Sequence, residues 1–236
     1  AITRIYEYLY RFDWKPSDEG SKRIWIPSDN STGEWVSPEK CVLHDTLGLF
    51  GSQLYVLEKH YQKDILSFFS SAFGVKANPS LDDYCKLWKI WVDSNRELSN
   101  ADCCAFWGFV IKHWNSRTKE LLSEELSKIP VFTGSDSTLL FDKHEVFIAD
   151  DLFLKDHFGQ LSSCPLFVWF PQPSLQYLPR GKLLEIYAQI GVRTISASVE
   201  KKLLSLHGFH FEQVNLKEIL IGRGLSKPIP GFLASP

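Results

Sequence analysis

The sequence predicts an α+β fold of two tandem hairpin-plus-helices modules, predominantly helical with short antiparallel β-hairpins. Residues 24–45 have a counterpart in residues 129–150, with apolar residues in a similar order around a polar turn. Amphipathic helical patterns follow both segments. We therefore expect an internal duplication, with residues 1–22 as an N-terminal helix and linker, 23–128 as the first module and 129–236 as the second. The two modules could equally pack as one continuous unit.

The composition is that of an ordinary globular protein, 44% hydrophobic and 23% charged. A formal net charge of −2 does not favour nucleic-acid binding, which usually requires a basic surface. No apolar run reaches the roughly 20 residues of a membrane span, and Arg4, Glu7 and Arg11 interrupt the N-terminus where a signal peptide is apolar. The five cysteines lack the spacing of a disulfide framework, so we expect an intracellular protein, cytoplasmic or nuclear, with reduced thiols.

The chain starts inside an amphipathic helical pattern at residues 2–12 and contains no methionine, so we expect a piece of a longer protein. Residues 23–26 then predict a strand, and the polar residues 28–33 predict a turn in which Gly33 can adopt a positive φ. Pro38 lies in the return arm and cannot donate to a ladder. This arm is therefore either an edge strand or broken at Pro38.

Helices dominate the rest of the first module. We expect a short helix at 51–61 and a longer one at 62–73, which Gly74 ends as a C-cap residue. Polar start signals precede the next two helices, the first at Ser80 and Asp83 and the second at residues 99–102. Each of four successive helices has an apolar face that we expect to be buried. In chain order these faces carry Ile65, Phe68, Phe69 and Phe73 on the first helix; Leu81, Tyr84, Trp88 and Trp91 on the second; Cys103, Phe106, Trp107, Val110 and Trp114 on the third; and Leu121, Leu122 and Leu126 on the fourth.

The second module begins with the hairpin at 129–150, whose turn lies near 134–136. A short helix is expected at 151–159, and consecutive apolar residues predict a fully buried strand at 165–170. Residues 171–179 read as an extended, proline-locked connector. The helices expected after it are 180–190, which Gly191 ends, and two weaker stretches at 198–206 and 216–221.

Two anchor points align the copies. Asp45 matches Asp150, 105 residues later, and Gly74 matches Gly191, 117 residues later. The second copy has therefore gained about twelve residues between its hairpin and its helix. The alternative is that two common patterns, a hairpin and a Gly-capped helix, coincide twice in the same order.

The sequence contains no Gly-rich phosphate loop, HExxH, paired CxxC or nucleophile elbow. It predicts no catalytic residue, no cofactor and no metal. Cys41 with His44 and His207 with His210 are two pairs, each three residues apart, that could ligate zinc. Neither has a second pair of ligands at the spacing of a zinc site. The acidic pairs Asp82-Asp83 and Asp150-Asp151 fall where helices begin, which favours a capping role.

One segment suggests a binding function. Residues 165–179 combine aromatic rings with rigid prolines, a composition that loses little entropy on binding. The candidate partner-binding residues are Trp169, Phe170, Pro171, Pro173 and Tyr177. The alternative interpretation is a core strand followed by a stiff linker.

The run RIWIPSDNSTGEWVSPEKCVLHD, with FDKHEVFIADD and IGVRTIS in the second copy, resembles the middle of plant proteins similar to NO VEIN and, more distantly, sacsin. In those large proteins an ATPase domain of the gyrase, histidine-kinase and heat-shock-chaperone class precedes long helical and hairpin repeats. The resemblance places this chain among the repeats, since the Asp-x-Gly-x-Gly motif of the ATP site is missing. It implies a chaperone-like or scaffolding role for the parent protein.

These observations favour a non-enzymatic scaffold module of a large ATPase-linked protein, acting on a protein partner and not on a membrane. A nucleic-acid-associated module is the first alternative, and it requires the Lys and Arg residues to converge on one face. An enzyme without a recognisable motif is the second, and it requires a pocket with clustered His and acidic residues.

Overall fold

The computed structural model describes residues 2–18, 22–28, 32–51, 53–132, 137–160, 164–171, 178–206, 209–216 and 231–234. Their fold is mixed α+β, as predicted, with several small sheets. The chain forms two compact units, Ala1–Leu87 and Trp88–Pro236. The module boundaries expected after residues 22 and 128 stay a prediction. No helix within the described ranges has the length and apolar character needed to cross a bilayer.

Unit 1 opens with helix α1 (Ile2–Arg11) and the first hairpin. Strands β1 (Ile24–Ile26) and β2 (Glu34–Val36) pair antiparallel, as predicted. The return arm is broken at Pro38, where a 3₁₀ turn occupies Pro38–Lys40. Gly33 is required by close approach, not by a positive φ, because an added Cβ would lie 2.5 Å from the carbonyl oxygen of Ile26.

A parallel pair replaces the helix expected at 51–61. Strand β3 (Cys41–Val42) pairs with β4 (Tyr55–Val56), and a 3₁₀ turn follows at Leu57–Lys59. The prediction was wrong because the buried residues here happen to fit a helical period, whereas the strand is defined by pairing with distant residues. The buried residues at that spacing are Leu54, Leu57 and Tyr61.

Helix α2 (Lys63–Phe73) confirms the predicted amphipathic helix, with Ile65, Phe68, Phe69 and Phe73 buried. Gly74 ends it in the left-handed conformation at φ 74°, as expected of a C-cap glycine. The chain after Gly74 returns to β3, where Val42 forms a parallel bridge to Lys76. Helix α2 is thus the crossover between the two parallel neighbours of β3. Helix α3 (Leu81–Asp93) follows, and the division between the units falls inside it.

Unit 2 contains helices α4 (Asn100–Lys112) and α5 (Ser116–Glu125). The expected start signal of α4 is a full capping box between Ser99 and Asp102. An aromatic core forms against α4, in which the rings of Trp88 and Phe106 lie 4.3 Å apart. The predicted members of this core that are buried are Trp88, Trp91, Cys103, Phe106, Trp107, Val110, Leu122 and Leu126.

The second hairpin consists of β6 (Lys128–Phe132) and β7 (Ser137–Asp142), and the short strand β5 (Leu98–Ser99) pairs with the other edge of β7. The return arm therefore ends at Asp142, before the predicted end at residue 150. The next strand, β8 (Val146–Ile148), leaves the hairpin and is the centre of a separate parallel sheet. Its neighbours are β9 (Leu166–Phe167) and β10 (Arg193–Thr194).

The helices predicted around this sheet are confirmed. They are α6 (Leu152–Gly159) and α7 (Arg180–Gln189), after which Gly191 takes a φ of 98°. Strand β9 is shorter than the predicted strand 165–170, and Leu166 and Phe167 are only half-buried. The turn at 134–136 and the connector residues 172–177 lie outside the described residues.

A three-stranded antiparallel sheet follows, made of β11 (Val199–Leu206), β12 (Phe209–Leu216) and β13 (Gly231–Ala234). The prediction of a helix at 198–206 is wrong. Eight cross-strand pairs, from Val199 opposite Leu216 to Leu206 opposite Phe209, override a weak local helical pattern. Residues 217–221 of the other weak stretch lie outside the described part of the chain.

Candidate functional site

Unit 2 carries an open cleft of about 870 Å³ beside α6, β9 and β6. Helix α6 supplies a charged wall with Lys155 and Asp156, and the exposed Cys164 also lines the cleft. The floor is apolar, and the residues that form it are Val131, Pro165, Leu166, Phe167, Val168, Phe170 and Pro171.

Backbone hydrogen bonds hold the floor between two strands. Val168 donates its N–H to the carbonyl of Phe147 at 3.0 Å, and Trp169 donates to the carbonyl of Pro130 at 2.8 Å. Val168 also bridges antiparallel to Val131. The floor is therefore fixed before any ligand binds, which reduces the entropy lost on binding.

Trp169 anchors this floor from below. Its side chain is fully buried, its indole Nε1 donates to Oδ1 of Asn100 at 2.8 Å, and its carbonyl accepts a 3.2 Å hydrogen bond from the Tyr187 hydroxyl. A buried indole usually finds such a partner because its N–H has lost water. Trp169, expected as a partner-binding candidate, is thus a core residue whose ring no partner can reach.

Phe170 and Pro171, two other candidates, are half-buried and line the cleft. The guanidinium of Arg180 lies 4.9 Å from the centre of the Phe170 ring, and the ammonium of Lys155 lies 5.8 Å from the Phe167 ring. Both are cation–π contacts in which the cationic side chain is exposed and the ring is half-buried. Pro173 and Tyr177, the remaining candidates, lie outside the described residues, so their partner-binding role stays a prediction.

The cleft includes residues that the sequence did not single out. Phe167 belonged to the predicted aromatic run, but it was expected to be part of a fully buried strand. Lys155 and Arg180 lie on two helices whose existence was predicted. No local pattern indicates that their side chains meet the same aromatic segment, because this depends on how α6 and α7 pack beside β9.

The five cysteines fall into two classes by exposure. Cys164 is exposed, whereas the other four cysteines are buried. Burial raises the pKa of the Cys41 thiol to about 12 and also raises the pKa values of Cys103 and Cys104. The thiolate, which is the reactive form, is therefore disfavoured at these three buried positions.

The polar pairs found in the sequence have structural roles where they are described. Asp83 accepts hydrogen bonds from the N–H and hydroxyl of Ser80 at 2.8 and 2.6 Å, and Asp151 caps the N-terminus of α6. Burial opposes the ionisation of Asp83, but the bonds from Ser80 and Lys76 outweigh it and lower its pKa. Asp150 instead accepts from the N–H of Ser196 at 3.1 Å.

The pair Cys41 and His44 is not assembled into a zinc site. His44 lies 2.6 Å from the carboxylate of Glu58, and Cys41 is a buried thiol 3.6 Å from the carbonyl of Ser37. His207 lies outside the described residues. Among the described residues, no group of three or more His, Cys, Asp or Glu side chains is placed to hold a metal ion.

Unit 1 has a cleft of its own, about 740 Å³ in volume. It lies beside the first hairpin and β4, and its walls are more polar. The Tyr55 hydroxyl donates a hydrogen bond to Glu34 there, which raises the pKa of Tyr55. Ile26, Lys59 and His60 also line it.

Comparison of this chain with protein-family models, curated proteins and solved structures finds no match.

Proposed function

We propose that this chain is a non-enzymatic protein-interaction module of a larger chaperone-like scaffold, and that the cleft of unit 2 binds an extended segment of a partner protein. The observation that carries the proposal is the pair Phe167 and Phe170. Both rings are half-buried on an open floor, and each has a cation beside it. Rings held in this way offer apolar contact area at little further entropic cost.

The cleft defines the chemistry of the segment that it binds. An aromatic or branched aliphatic side chain fits against Phe167 and Phe170, because the floor around them is apolar. Lys155 and Arg180 are exposed cations beside these rings, so a carboxylate next to the apolar side chain can pair with them. The partner segment is therefore apolar-aromatic with acidic flanking residues.

The matching registers of the two parallel sheets support a scaffold built by duplication. Val42 of β3 pairs with Val56 and bridges to Lys76, whereas Phe147 of β8 pairs with Phe167 and Arg193. The three equivalent positions are 105, 111 and 117 residues apart. Coincidence of two common patterns would reproduce the order of the elements but has no reason to reproduce the pairing register.

The hairpins and crossovers follow the same alignment. Ile24 opposite Val36 corresponds to Ile129 opposite Phe141, both shifted by 105 residues. Helices α2 and α7 are both crossovers that end before a glycine at positive φ. The insertion of about twelve residues thus divides into about six before the second strand and about six after it.

The two clefts occupy equivalent places in the repeat. The four shared positions are Ile26 and Val131, Tyr55 and Leu166, Lys59 and Phe170, and His60 and Pro171. The cleft thus lies at the same place in both copies, while its lining changes from polar in unit 1 to aromatic in unit 2. Repeat proteins commonly bind their partners through the surfaces that successive repeats create.

A peptide selection tests the proposal. The full chain is used to select binders from a random library of peptides about 12 residues long, which span up to about 40 Å when extended. We expect the binders to carry an aromatic or aliphatic residue beside Asp or Glu. Phe170→Ala should weaken them about tenfold or more. Trp35→Ala, which truncates an aromatic residue 55% exposed in unit 1, should leave their affinity unchanged.

Peptides that bind Phe170→Ala and the unaltered chain equally would contradict the cleft assignment. The non-enzymatic role would be contradicted by turnover of a substrate that one polar substitution abolishes.

A further inference from the structure

Helix α1 is apolar on two faces, and its inner face is fixed in the core of unit 1. Ile2, Tyr6 and Leu9 pack there, and the Tyr6 ring lies 5.0 Å from that of Phe69. The Tyr6 hydroxyl also accepts a 3.0 Å hydrogen bond from the N–H of Trp25. These contacts hold α1 in one orientation, so its outer face is presented rigidly.

The outer face is an apolar ridge formed by Ile5, Tyr8 and Phe12. Their exposed fractions are 55%, 61% and 67%, which are large for side chains of this size. Spacings of three and four residues place them on one side of the helix, and the N–H of Phe12 bonds to the carbonyl of Tyr8 at 3.3 Å, which continues the helical spacing. The rings of Tyr8 and Phe12 touch, with centres 4.5 Å apart.

Two arginines border this ridge. Arg4 precedes Tyr8 by four residues and Arg11 follows it by three, so both lie on the same side of α1 as the Tyr8 ring. Both side chains are exposed, and no ion pair joins either of them to another described residue. The ridge therefore has a basic edge.

We propose that the ridge docks an amphipathic helix of a partner protein that carries Asp or Glu along the edge facing Arg4 and Arg11. A convex row of side chains packs well into the groove between two rows on another helix. Tyr and Arg are enriched among the residues that dominate binding energy. The basic edge selects an acidic partner and orients it. The ridge belongs to unit 1, and none of its residues lines the cleft of unit 2.

A membrane surface fits the same face less well. Helices that lie on membranes are rich in Lys and Arg on their polar side. Residues 2–15 carry three basic and two acidic side chains, so they are close to neutral. Glu7 and Asp13 would be repelled by anionic headgroups, which cover the whole membrane surface. A partner helix can instead place its carboxylates beside Arg4 and Arg11 and leave the position that faces Glu7 uncharged.

Two designed peptides test the charge requirement with the full chain. Both are stapled helices of about 18 residues, long enough to cover α1, with the same leucine ridge. One carries Glu and the other Lys on the flanking positions. We expect the Glu peptide to bind about tenfold more tightly in fluorescence anisotropy at low salt, and the difference to shrink at high salt.

Variants of α1 identify the surface. The double variant Arg4→Glu, Arg11→Glu should prefer the Lys peptide, and Tyr8→Ser with Phe12→Ser should weaken the Glu peptide about tenfold. Phe153→Ser is the matched control, because Phe153 is 58% exposed on α6 and lies away from α1 in sequence. It should not alter binding. Circular dichroism confirms that each variant keeps its helix content.

Three results would overturn the proposal. The first is failure of the Glu peptide to bind, or binding of the Glu and Lys peptides with equal affinity. The second is a dimer in sedimentation velocity that Phe12→Ser dissociates, which would assign the ridge to a second copy of the chain. The third is binding to vesicles of phosphatidylserine and phosphatidylcholine that is lost in the Tyr8→Ser, Phe12→Ser variant.

Discussion

The indole Nε1 of Trp169 donates a 2.8 Å hydrogen bond to Oδ1 of Asn100, which lies 69 residues earlier in the chain. Asn100 is the first residue of α4, and Trp169 lies directly beneath the floor of the cleft. One side-chain bond therefore joins the start of a core helix to the segment that carries Phe170. Both partners are buried, so neither can exchange the bond for water.

Asn100→Ala should lower the free energy of unfolding by about 1–3 kcal/mol, because it leaves the Trp169 N–H buried without an acceptor. Urea unfolding followed by circular dichroism measures the loss. Trp169→Phe removes the donor, so the double variant should lose less than the sum of the two single losses. Strictly additive losses would mean that the bond contributes nothing.

Gly33→Ala should destabilise unit 1 by about 1–3 kcal/mol through overpacking. The added Cβ would meet the Trp25 ring and would lie 2.5 Å from the carbonyl oxygen of Ile26, a backbone atom that cannot rotate away. Gly181→Ala in α7 is the matched control, since nothing lies within 4 Å of its Cβ position. The control should instead be more stable by about 0.5–1 kcal/mol, because alanine favours a helix. Equal thermal midpoints for both variants would refute the close-approach argument.

Cys164 should be the fast-reacting thiol of the folded protein. Of the five cysteines, it is the exposed one, and the other four are buried. Titration with a disulfide reagent at pH 8 should show one rapid thiol, and four more after denaturation. Cys164→Ser should remove the rapid phase. Rapid labelling that persists in this variant would show that a buried thiol opens to solvent.

Alkaline pH should destabilise the protein, because buried thiol and phenol groups ionise more readily in the unfolded chain. Burial raises the pKa of Cys41 from 9.0 to about 12, and it raises the pKa values of Tyr6, Tyr61 and Tyr84 above 10.0. The unfolded chain thus releases protons at a lower pH than the folded chain. The stability that these groups contribute is fully present below about pH 9, and it is lost as the pH rises through their folded pKa values.

The urea midpoint, measured between pH 7 and pH 11, checks this trend. Cys41→Ala should reduce the fall that begins near pH 9, since it removes one of the groups responsible. A midpoint that stays constant to pH 11 would show that the buried groups do not control the alkaline limit.

Elements with a strong local signal were predictable from the chain alone. Helix α2 combines a one-sided apolar pattern with a terminal glycine, and α4 has a capping box at its start; both formed where expected. Strands β4 and β11 were missed, because their residues also fit a helical period. Each is defined by hydrogen bonds to a partner strand, and no local pattern reports that partner.

The candidate site was predictable only in part. The aromatic and proline-rich segment led to Phe170 and Pro171, which do line the cleft. The same composition suggested Trp169, whose ring is buried under the floor. Aromatic residues serve both cores and interfaces, so composition could not separate the two. Lys155 and Arg180 could not be assigned to the site, because their contacts with the rings depend on how α6 and α7 pack.

Local chemistry in the chain was sufficient to specify the turns and caps and most of the helices, since these depend on neighbours a few residues apart. Tertiary packing decided which strands pair in parallel around β3 and β8, which aromatic residues are buried, and where the clefts lie. The reason is physical. Parallel pairing and burial join residues that are distant in the chain, and their free energy comes from contacts that exist only once the chain has folded.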